Sequence, residues 1–339
     1  MAPSLLQRVE NGKILSRAQA EEAMEEILSG RVETPEIVSL LRAMNMRSIE
    51  PQELAGFATV MRRHAAPVFS DDRMRPANLI DTCGTGGDGC DTFNISTVAA
   101  IIASAAGASV AKHGNRAASS RCGSADVLEA LGARIDIPLE RCGEAIREIG
   151  LGFLFAQAAH SATRHAAQAR KQIGERTAFN LLGPLTNPAG AHSQLVGVYS
   201  VDVIDLMAAT LAELGVQRAL VVHGADGLDE ISLSGETYVA ELREGTVKRY
   251  TVTPEDFGMS RAPIEALRGG TAQENAALIR EVLDAQPGPR RDVAIINAAA
   301  ALVASGIAAN FLEGAQFAVN AISSGLAQKK LAALVAFTN

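Results

Sequence analysis

Tryptophan is absent from the sequence, and aromatic residues account for only 4% of its 339 positions. Proteins that bind single-stranded nucleic acid usually stack bases on aromatic side chains and line the strand with positive charge. The formal net charge here is −7, so nucleic acid and anionic membranes are disfavoured as partners. Alanine and glycine are abundant instead, which suits close helix packing and sites built from backbone groups.

Cysteine is also scarce, and its spacing excludes the common metal and redox motifs. The sequence has four cysteines, at positions 83, 90, 122 and 142, and no two of them form a C-x-x-C pair. Such a pair is the usual sign of structural zinc or of a redox site. We therefore expect reduced thiols in a cytoplasmic protein.

Long apolar runs and a signal-peptide pattern are missing as well. The first 30 residues are mixed polar and acidic, unlike a secretory leader. One of the longest apolar stretches, 293–309, is interrupted by Asn297, Ser305 and Gly306. This stretch predicts a buried helix rather than a membrane span.

The pattern of apolar residues changes near residue 75. Before it, only helical spacing is found, with Ser16 and Gln19 predicting one helix start. From Leu79 onward, short strands alternate with helices, which predicts a mainly parallel central sheet flanked by helices. The predicted fold class is therefore α/β, with a small all-α N-terminal domain (1–75) and a large α/β domain (76–339).

The densest motif lies at the junction between a predicted strand and a predicted helix. Four glycines and two acids fall within residues 81–89. Glycine-rich turns at such a junction expose backbone N–H groups, and those groups bind phosphate. Carboxylates beside the turn would repel phosphate unless a cation lies between them. The segment therefore predicts a phosphorylated substrate that arrives with a metal ion.

Two other interpretations of this segment are a dinucleotide site and a plain structural turn. Gly84, Gly86 and Gly89 match the G-x-G-x-x-G spacing. However, a dinucleotide site also needs an acid at the end of the second strand to bind the ribose. That strand ends in the basic run 112–116, so we favour the metal–phosphate interpretation.

The segment 112–126 is a second candidate anion site. It places basic residues at the end of a strand, followed by hydroxyl and glycine residues before a helix, which are the parts of an anion cradle. The alternative is a helix capped at Ser124 behind a solvated basic loop. Loops that follow adjacent parallel strands meet at one edge of the sheet, where ligands bind in α/β folds.

Three further groups are candidate site residues. Asp229 and Glu230 follow a strand predicted to end at the same edge, and carboxylates combined with substrate phosphates typically hold Mg²⁺; a solvated acidic loop is the alternative. Arg170 is a candidate clamp for a carboxylate, with an ordinary surface arginine as the alternative. His113 and His160 are candidates for an acid or a base, although a lone histidine more often has a structural role.

In this order the motifs resemble those of the anthranilate phosphoribosyltransferases of tryptophan biosynthesis. The segments that carry the resemblance are 84–88, 94–97, 112–116, 124–132, 176–177, 180–188 and 229–230. Together they are specific, and they cover nearly the whole chain. The chain departs from the family at Gln157 and Ser161, where proline is usual. Because that region lies near the entry path for anthranilate in the family, an altered acceptor is an alternative.

The resemblance implies a small helical domain, completed by part of 170–192, joined to an α/β domain related to nucleoside phosphorylases. It also implies a homodimer formed through the helical domains. The implied reaction transfers the phosphoribosyl group of 5-phosphoribosyl 1-pyrophosphate (PRPP) to the amine of anthranilate and releases pyrophosphate, with Mg²⁺ as cofactor, two ions per subunit. A pyrimidine nucleoside phosphorylase-like enzyme is the alternative on a related fold.

The resemblance also assigns roles by position. The residues expected to bind PRPP are Gly84, Gly87, Asp88, Thr92, Asn94, Ile95, Ser96, Thr97, Lys112, His113, Gly114, Asn115, Arg116, Ala117, Ala118, Ser119, Ser120 and Ser124. Those expected to bind Mg²⁺ are Ser96, Asp229 and Glu230, and those expected to contact anthranilate are Gly84, Asn115 and Arg170. Because the anthranilate amine is mostly neutral, we expect positioning to matter more than deprotonation, with no covalent intermediate and no essential cysteine.

Overall fold

The computed structural model describes residues 3–117 and 121–339. Four helices precede the first strand: α1 (Pro3–Glu10), α2 (Arg17–Leu28), α3 (Thr34–Asn45) and α4 (Pro51–Arg63). The α2 start carries the predicted capping box, in which Ser16 accepts from the Gln19 N–H and Gln19 accepts from the Ser16 N–H. This arrangement satisfies two backbone donors that the helix leaves free. The expectation of an all-α N-terminal region is confirmed.

The strands and helices then alternate, as the sequence predicts. The strands are β1 (Leu79–Gly84), β2 (Ser109–Gly114), β3 (Leu151–Phe155), β4 (Ser193–Gly197), β5 (Arg218–Gly224), β6 (Thr237–Arg243) and β7 (Thr246–Val252). The helices among them are α5 (Ile95–Ala105), α6 (Ser124–Leu131), α7 (Leu139–Ile149), α8 (Ala156–Ala159), α9 (Arg164–Ile173), α10 (Phe179–Leu185) and α11 (Ile204–Glu213). The C-terminal part is helical, with α12 (Ala272–Leu283), α13 (Pro289–Ala304), α14 (Phe311–Ser323) and α15 (Leu326–Thr338).

The seven strands form one sheet in the order β3-β2-β1-β4-β5-β6-β7. The pairs among β1 to β5 are parallel, whereas β6 and β7 form an antiparallel hairpin at the edge. The prediction of a mainly parallel sheet is therefore confirmed. Since β1 lies between β2 and β4, the order of the strands reverses at β1. In open parallel sheets, ligands bind in the crevice that such a reversal leaves at the carboxyl ends of the strands.

Alternating residues of the strands supply the two faces of the core. Leu195 and Leu220 pack against α5 and the C-terminal helices. Val196 and Val221 face the opposite side, where they pack with residues of α1–α4 and α9–α11. The N-terminal helices are thus joined to the sheet through a shared apolar core. No helix within the described ranges is both long and apolar enough to cross a membrane.

Candidate active site

The loop after β1 has the geometry of an anion-binding nest. Gly86, Gly87 and Gly89 have positive φ angles of 65°, 76° and 75°, which residues with a side chain rarely adopt. The N–H groups of Gly87, Asp88 and Gly89 donate to no protein acceptor within residues 3–117 and 121–339. Neighbouring free N–H groups in a glycine-rich turn bind phosphate oxygens.

This glycine loop is tied to two other strand ends. The Thr85 N–H donates to the Gly197 carbonyl at 2.9 Å, and the Gly86 N–H donates to Asp229 Oδ2 at 2.9 Å. A Cβ atom at Gly84 would lie 2.8 Å from Asp229 Oδ2, and a Cβ at Gly197 would lie 1.5 Å from the Asp229 carbonyl oxygen. A side chain at Gly197 would therefore collide with the Asp229 backbone, and a side chain at Gly84 would displace the Asp229 carboxylate.

The acidic pair lies beside the glycine loop and the start of α5. Glu230 Oε1 accepts from the Ser96 N–H at 3.0 Å, and Asp88 Oδ2 lies 3.4 Å from the Asp229 N–H. Burial raises the pKa of the Asp229 carboxyl, and the negative charge of Asp88 raises it further. Burial and the charge of Asp229 raise the pKa of Glu230 in the same way.

Carboxylates held in this way suit a divalent cation. A bound cation would offset both the burial and the mutual repulsion that raise these two pKa values. Within the described parts of the chain, no three His, Cys, Asp or Glu side chains form a metal-binding group. A metal here would therefore complete its coordination with the Ser96 hydroxyl, solvent or substrate phosphates, as Mg²⁺ usually does.

Lys112 bridges β1 and β2 where their backbone pairing stops. The two strands pair only at Leu79 with Ser109 and at Ile80 with Val110. Beyond these pairs the buried Lys112 Nζ donates to the Thr82 carbonyl at 2.7 Å and lies 3.2 Å from Ser96 Oγ. The ammonium group is thus held beside the hydroxyl of Ser96, the residue whose backbone N–H donates to Glu230.

Asp81 bridges the same two strands from the β1 side. Its Oδ1 accepts from the His113 N–H at 3.0 Å, and the residue is fully buried. This carboxylate replaces the backbone pairing that the two strands lose. The sequence reasoning counted Asp81 among the acids of the glycine segment and assigned it no such role.

The loop after β2 packs against the start of α6. Ser124 Oγ donates to the Asn115 carbonyl at 3.3 Å, and Asp126 Oδ2 accepts from the Ala117 N–H at 2.9 Å. The Arg116 guanidinium pairs with Asp126 and Glu129, so in this structure α6 carboxylates hold it. The remaining expected members of the loop, Ala118, Ser119 and Ser120, lie outside the described residues.

The expected site residues just before and within α5 differ in which of their groups can reach a ligand. Ile95 and Thr97 are each 1% exposed, so they reach a ligand only through their backbone. The Asn94 amide is held on both sides, since Nδ2 donates to the Cys122 carbonyl and Oδ1 accepts from Asn275. Thr92 forms a β-bridge with Arg268.

His113 and His160 form a buried pair rather than an acid–base pair. Their rings meet edge to face with centroids 5.3 Å apart, and His113 Nδ1 lies 3.2 Å from the Gly183 carbonyl oxygen. Burial lowers the pKa of His113 to about 3 and that of His160 to about 4. Both rings are therefore neutral at physiological pH, and neither is an imidazolium that could act as a general acid.

Arg170 lies on the last turn of α9, with its guanidinium 5.3 Å from the centre of the Phe179 ring. The residue as a whole is exposed. A nearby arginine, Arg176, was not among the expected site residues. Its Nη2 donates to the Gly87 carbonyl, and its guanidinium carbon lies 4.0 Å from the centre of the Tyr199 ring.

Asn297 is a second residue that the sequence reasoning did not assign to the site. It is fully buried on α13, and its amide accepts from the Ile231 N–H at 2.9 Å and donates to the Ile231 carbonyl at 3.0 Å. It therefore fixes the backbone next to Glu230. A single asparagine inside a long apolar helix was the signal that could have revealed it.

Two family models match the chain: the helical bundle domain of a glycosyl transferase family over residues 3–65, and the a/b domain of that family over residues 76–328. Anthranilate phosphoribosyltransferases from Symbiobacterium thermophilum and Moorella thermoacetica are each 49% identical over 99% of this chain. The matches cover 97% and 98% of those proteins.

Solved structures give the same result. The anthranilate phosphoribosyltransferase of Thermus thermophilus matches with a TM-score of 0.92 and 45% identity, over 98% of this chain and 99% of that one. The Saccharomyces cerevisiae enzyme in complex with PRPP and Mg matches with a TM-score of 0.89 and 27% identity, over 100% and 98%. On this likeness over its full length, the chain belongs to the anthranilate phosphoribosyltransferase family.

Proposed function

We propose that the crevice at the carboxyl edge of the sheet binds PRPP, Mg²⁺ and anthranilate. As a member of its family the chain is a Mg²⁺-dependent glycosyltransferase of tryptophan biosynthesis. It transfers the phosphoribosyl group of PRPP to the amine of anthranilate, giving N-(5-phosphoribosyl)anthranilate and pyrophosphate. The main observation that supports this location is the hydrogen bond from the Gly86 N–H to Asp229. This bond joins the predicted phosphate-binding loop to a predicted metal ligand.

For the donor, the free N–H groups of the glycine loop are the proposed phosphate ligands, because they face no protein acceptor in the described ranges. The PRPP-binding set remains as the resemblance assigns it: Gly84, Gly87, Asp88, Thr92, 94–97, 112–120 and Ser124. The side chains of Ile95 and Thr97 are buried, so their proposed contribution is backbone only. Arg116 contributes its guanidinium only if it leaves Asp126 and Glu129.

For the metal, we assign Ser96, Asp229 and Glu230 as protein ligands and propose two Mg²⁺ ions per subunit. Bound Mg²⁺ would neutralise charge that develops on the departing pyrophosphate. The protein's own part is to hold the carboxylates in place through the N–H groups of Gly86 and Ser96. The yeast structure with PRPP and Mg supports the use of this metal in the family.

For the acceptor, we propose that Arg170 and Asn115 position anthranilate, with Gly84 contacting it. The guanidinium of Arg170 is suited to binding both carboxylate oxygens. Loss of pyrophosphate leaves positive charge on the ribose, and the neutral amine forms the new C–N bond at that carbon. The proton that the nitrogen then releases passes to pyrophosphate or to solvent. The proposal therefore needs no protein base, no covalent intermediate and no cysteine, and the buried His113 and His160 take no part.

We also propose a cytoplasmic homodimer. The helical domain of 1–75, completed by part of 170–192, would form the interface. Packing of α9 and α10 in the same apolar core as α1–α4 supports this grouping. Light scattering on the purified chain tests the dimer: a mass near twice 35.4 kDa is expected, and a monomer at micromolar concentration would reject it.

The activity test follows the loss of anthranilate fluorescence in the presence of PRPP and Mg²⁺. We expect turnover in the wild-type chain and its loss in the double variant Asp229→Asn with Glu230→Gln. A control with two exposed carboxylates changed, Asp136→Asn with Glu140→Gln, should leave the rate unchanged. Full activity of the first double variant would remove the acidic pair from the metal site. Turnover that needs inorganic phosphate and a nucleoside instead would favour a phosphorylase.

The acceptor assignment has its own test. Arg170→Ala should raise the KM for anthranilate more than the KM for PRPP, because only the acceptor loses a partner. Lys171→Ala, at the next position on the same last turn of α9, is the matched control. Equal increases in both KM values would reject the role of Arg170.

A further inference from the structure

Arg176 connects three parts of the molecule that are distant in sequence. Its guanidinium donates to the Gly87 carbonyl in the glycine loop and lies over the ring of Tyr199, just beyond β4. Its own carbonyl accepts from Asn45 Nδ2, at the end of α3, at 2.7 Å. The residue therefore links the N-terminal helices to the glycine loop.

The segment that carries Arg176 is short and closed at both ends. We call residues 174–178, between α9 and α10, the α9–α10 loop. At its base, the Arg170 guanidinium lies over the Phe179 ring at 5.3 Å. Close to Arg176, the Thr177 N–H donates to Asn180 Oδ1 at 2.9 Å. Arg170 and Arg176 are thus six positions apart on one short segment that is tied by these contacts.

The bond to Gly87 controls a proposed donor to PRPP. A peptide unit is planar and trans, so its C=O and the following N–H point in opposite directions. When Arg176 holds the Gly87 carbonyl, it also fixes the direction of the Asp88 N–H. That N–H has no protein acceptor within the described ranges, which leaves it available to a phosphate oxygen.

We propose that Arg176 is a positioning residue that couples the acceptor site to the PRPP loop. This proposal rests on the proposed roles of Arg170 and of the glycine loop. An acceptor carboxylate at Arg170 acts on the base of the α9–α10 loop, and Arg176 carries the change to Gly87 and so to the Asp88 N–H. By linkage, a bound acceptor tightens PRPP binding and bound PRPP tightens acceptor binding by the same factor.

The test measures the Kd of PRPP with Mg²⁺ by titration calorimetry, with and without saturating benzoate. Benzoate has the acceptor's carboxylate but lacks its amine, so no turnover occurs. In the wild-type chain we expect benzoate to lower this Kd by at least about fivefold, within the usual range of coupling between sites. In Arg176→Lys and in Tyr199→Leu, the Kd without benzoate divided by the Kd with benzoate should fall below about two. A lysine cannot both stack on the Tyr199 ring and donate from a planar guanidinium, and a leucine removes the ring itself.

Arg147→Lys, an exposed arginine on α7, is the matched control and should keep the wild-type ratio. Thermal melting of each variant separates loss of coupling from loss of folding, and either Arg176→Lys or Tyr199→Leu suffices if the other unfolds. A wild-type ratio of one, or an unchanged ratio in folded variants, overturns the role of Arg176. Failure of the wild-type chain to bind PRPP overturns the proposed donor site instead, and failure to bind benzoate overturns the proposed carboxylate clamp at Arg170.

Discussion

Asp229 accepts a hydrogen bond from the Gly86 N–H at 2.9 Å, although the two residues are 143 positions apart. The acidic loop and the glycine loop are therefore one structural unit before any ligand binds. Gly197 makes this contact possible, because its missing side chain leaves room for the Asp229 backbone. A change at any of the three positions should affect the other two.

Gly197→Ala should disrupt this unit directly. The new Cβ would lie 1.5 Å from the Asp229 carbonyl oxygen, so β4 or the acidic loop must move. We expect the free energy of unfolding to fall by about 2–3 kcal/mol and activity to be lost. Urea denaturation and the fluorescence assay measure the two effects. Gly235→Ala is the control, since its Cβ meets nothing within 4 Å; equal behaviour of the two variants would contradict the close approach.

Asn297→Ala should weaken the site without touching a ligand. It leaves the N–H and carbonyl of Ile231 without their side-chain partner, and an unpaired buried polar group costs about 1–3 kcal/mol. The neighbouring Glu230 then loses its fixed position, so the Mg²⁺ concentration for half-maximal rate should rise. Asn320→Ala, at an exposed position of α14, should change neither quantity. An unaltered Mg²⁺ requirement in Asn297→Ala would show that Glu230 is held by other contacts.

The N-terminal helices depend on a buried ion pair. Glu53 is fully buried and accepts from both Arg47 Nη1 at 2.8 Å and Arg47 Nη2 at 2.6 Å, and also from the Leu15 N–H. Arg47→Met leaves this carboxylate buried without its cation, which should cost about 3 kcal/mol. Chemical denaturation measures the loss. Arg73→Met, which removes the exposed partner of Asp71, should show no measurable change, and comparable losses in both variants would contradict the prediction.

The buried histidines make stability depend on acid pH. Burial lowers the pKa of His160 to about 4 from its ordinary value of 6.5. Between those pH values the unfolded chain binds the proton and the folded chain does not, so the free energy of unfolding falls as pH drops from 6.5 to 4. The loss in the free energy of unfolding that comes from His160 is at most about 3 kcal/mol. His113 lowers the stability in the same direction.

Denaturation curves across this range in wild type and in His160→Gln measure the contribution. The variant should lose less stability than wild type as the pH falls from 6.5 to 4, whatever its stability at pH 7. Gln168→Ala, at an exposed and non-titrating position of α9, is the control and should follow the wild-type slope. Parallel curves for wild type and His160→Gln would show that His160 takes up its proton in the folded chain.

The local parts of this fold were predictable from the sequence, whereas the contacts between distant parts were not. The capping box at Ser16 and the alternation of strands and helices depend on residues that are close together in the sequence. The roles of Gly197, Asn297 and Arg176 arise only when segments far apart in the chain meet, and no local spacing encodes such a meeting. The acidic pair was chosen for its chemistry, and its site role, like that of Arg170, stays a prediction.

The change from backbone pairing to side-chain bridging between β1 and β2 has a consequence for this edge of the sheet. The buried Lys112 and Asp81 satisfy the Thr82 carbonyl and the His113 N–H. Two charged side chains thus do here what the main chain does elsewhere in the sheet. The shape of this edge therefore depends on the identity of two residues, whereas between β1 and β4 it depends on the backbone alone.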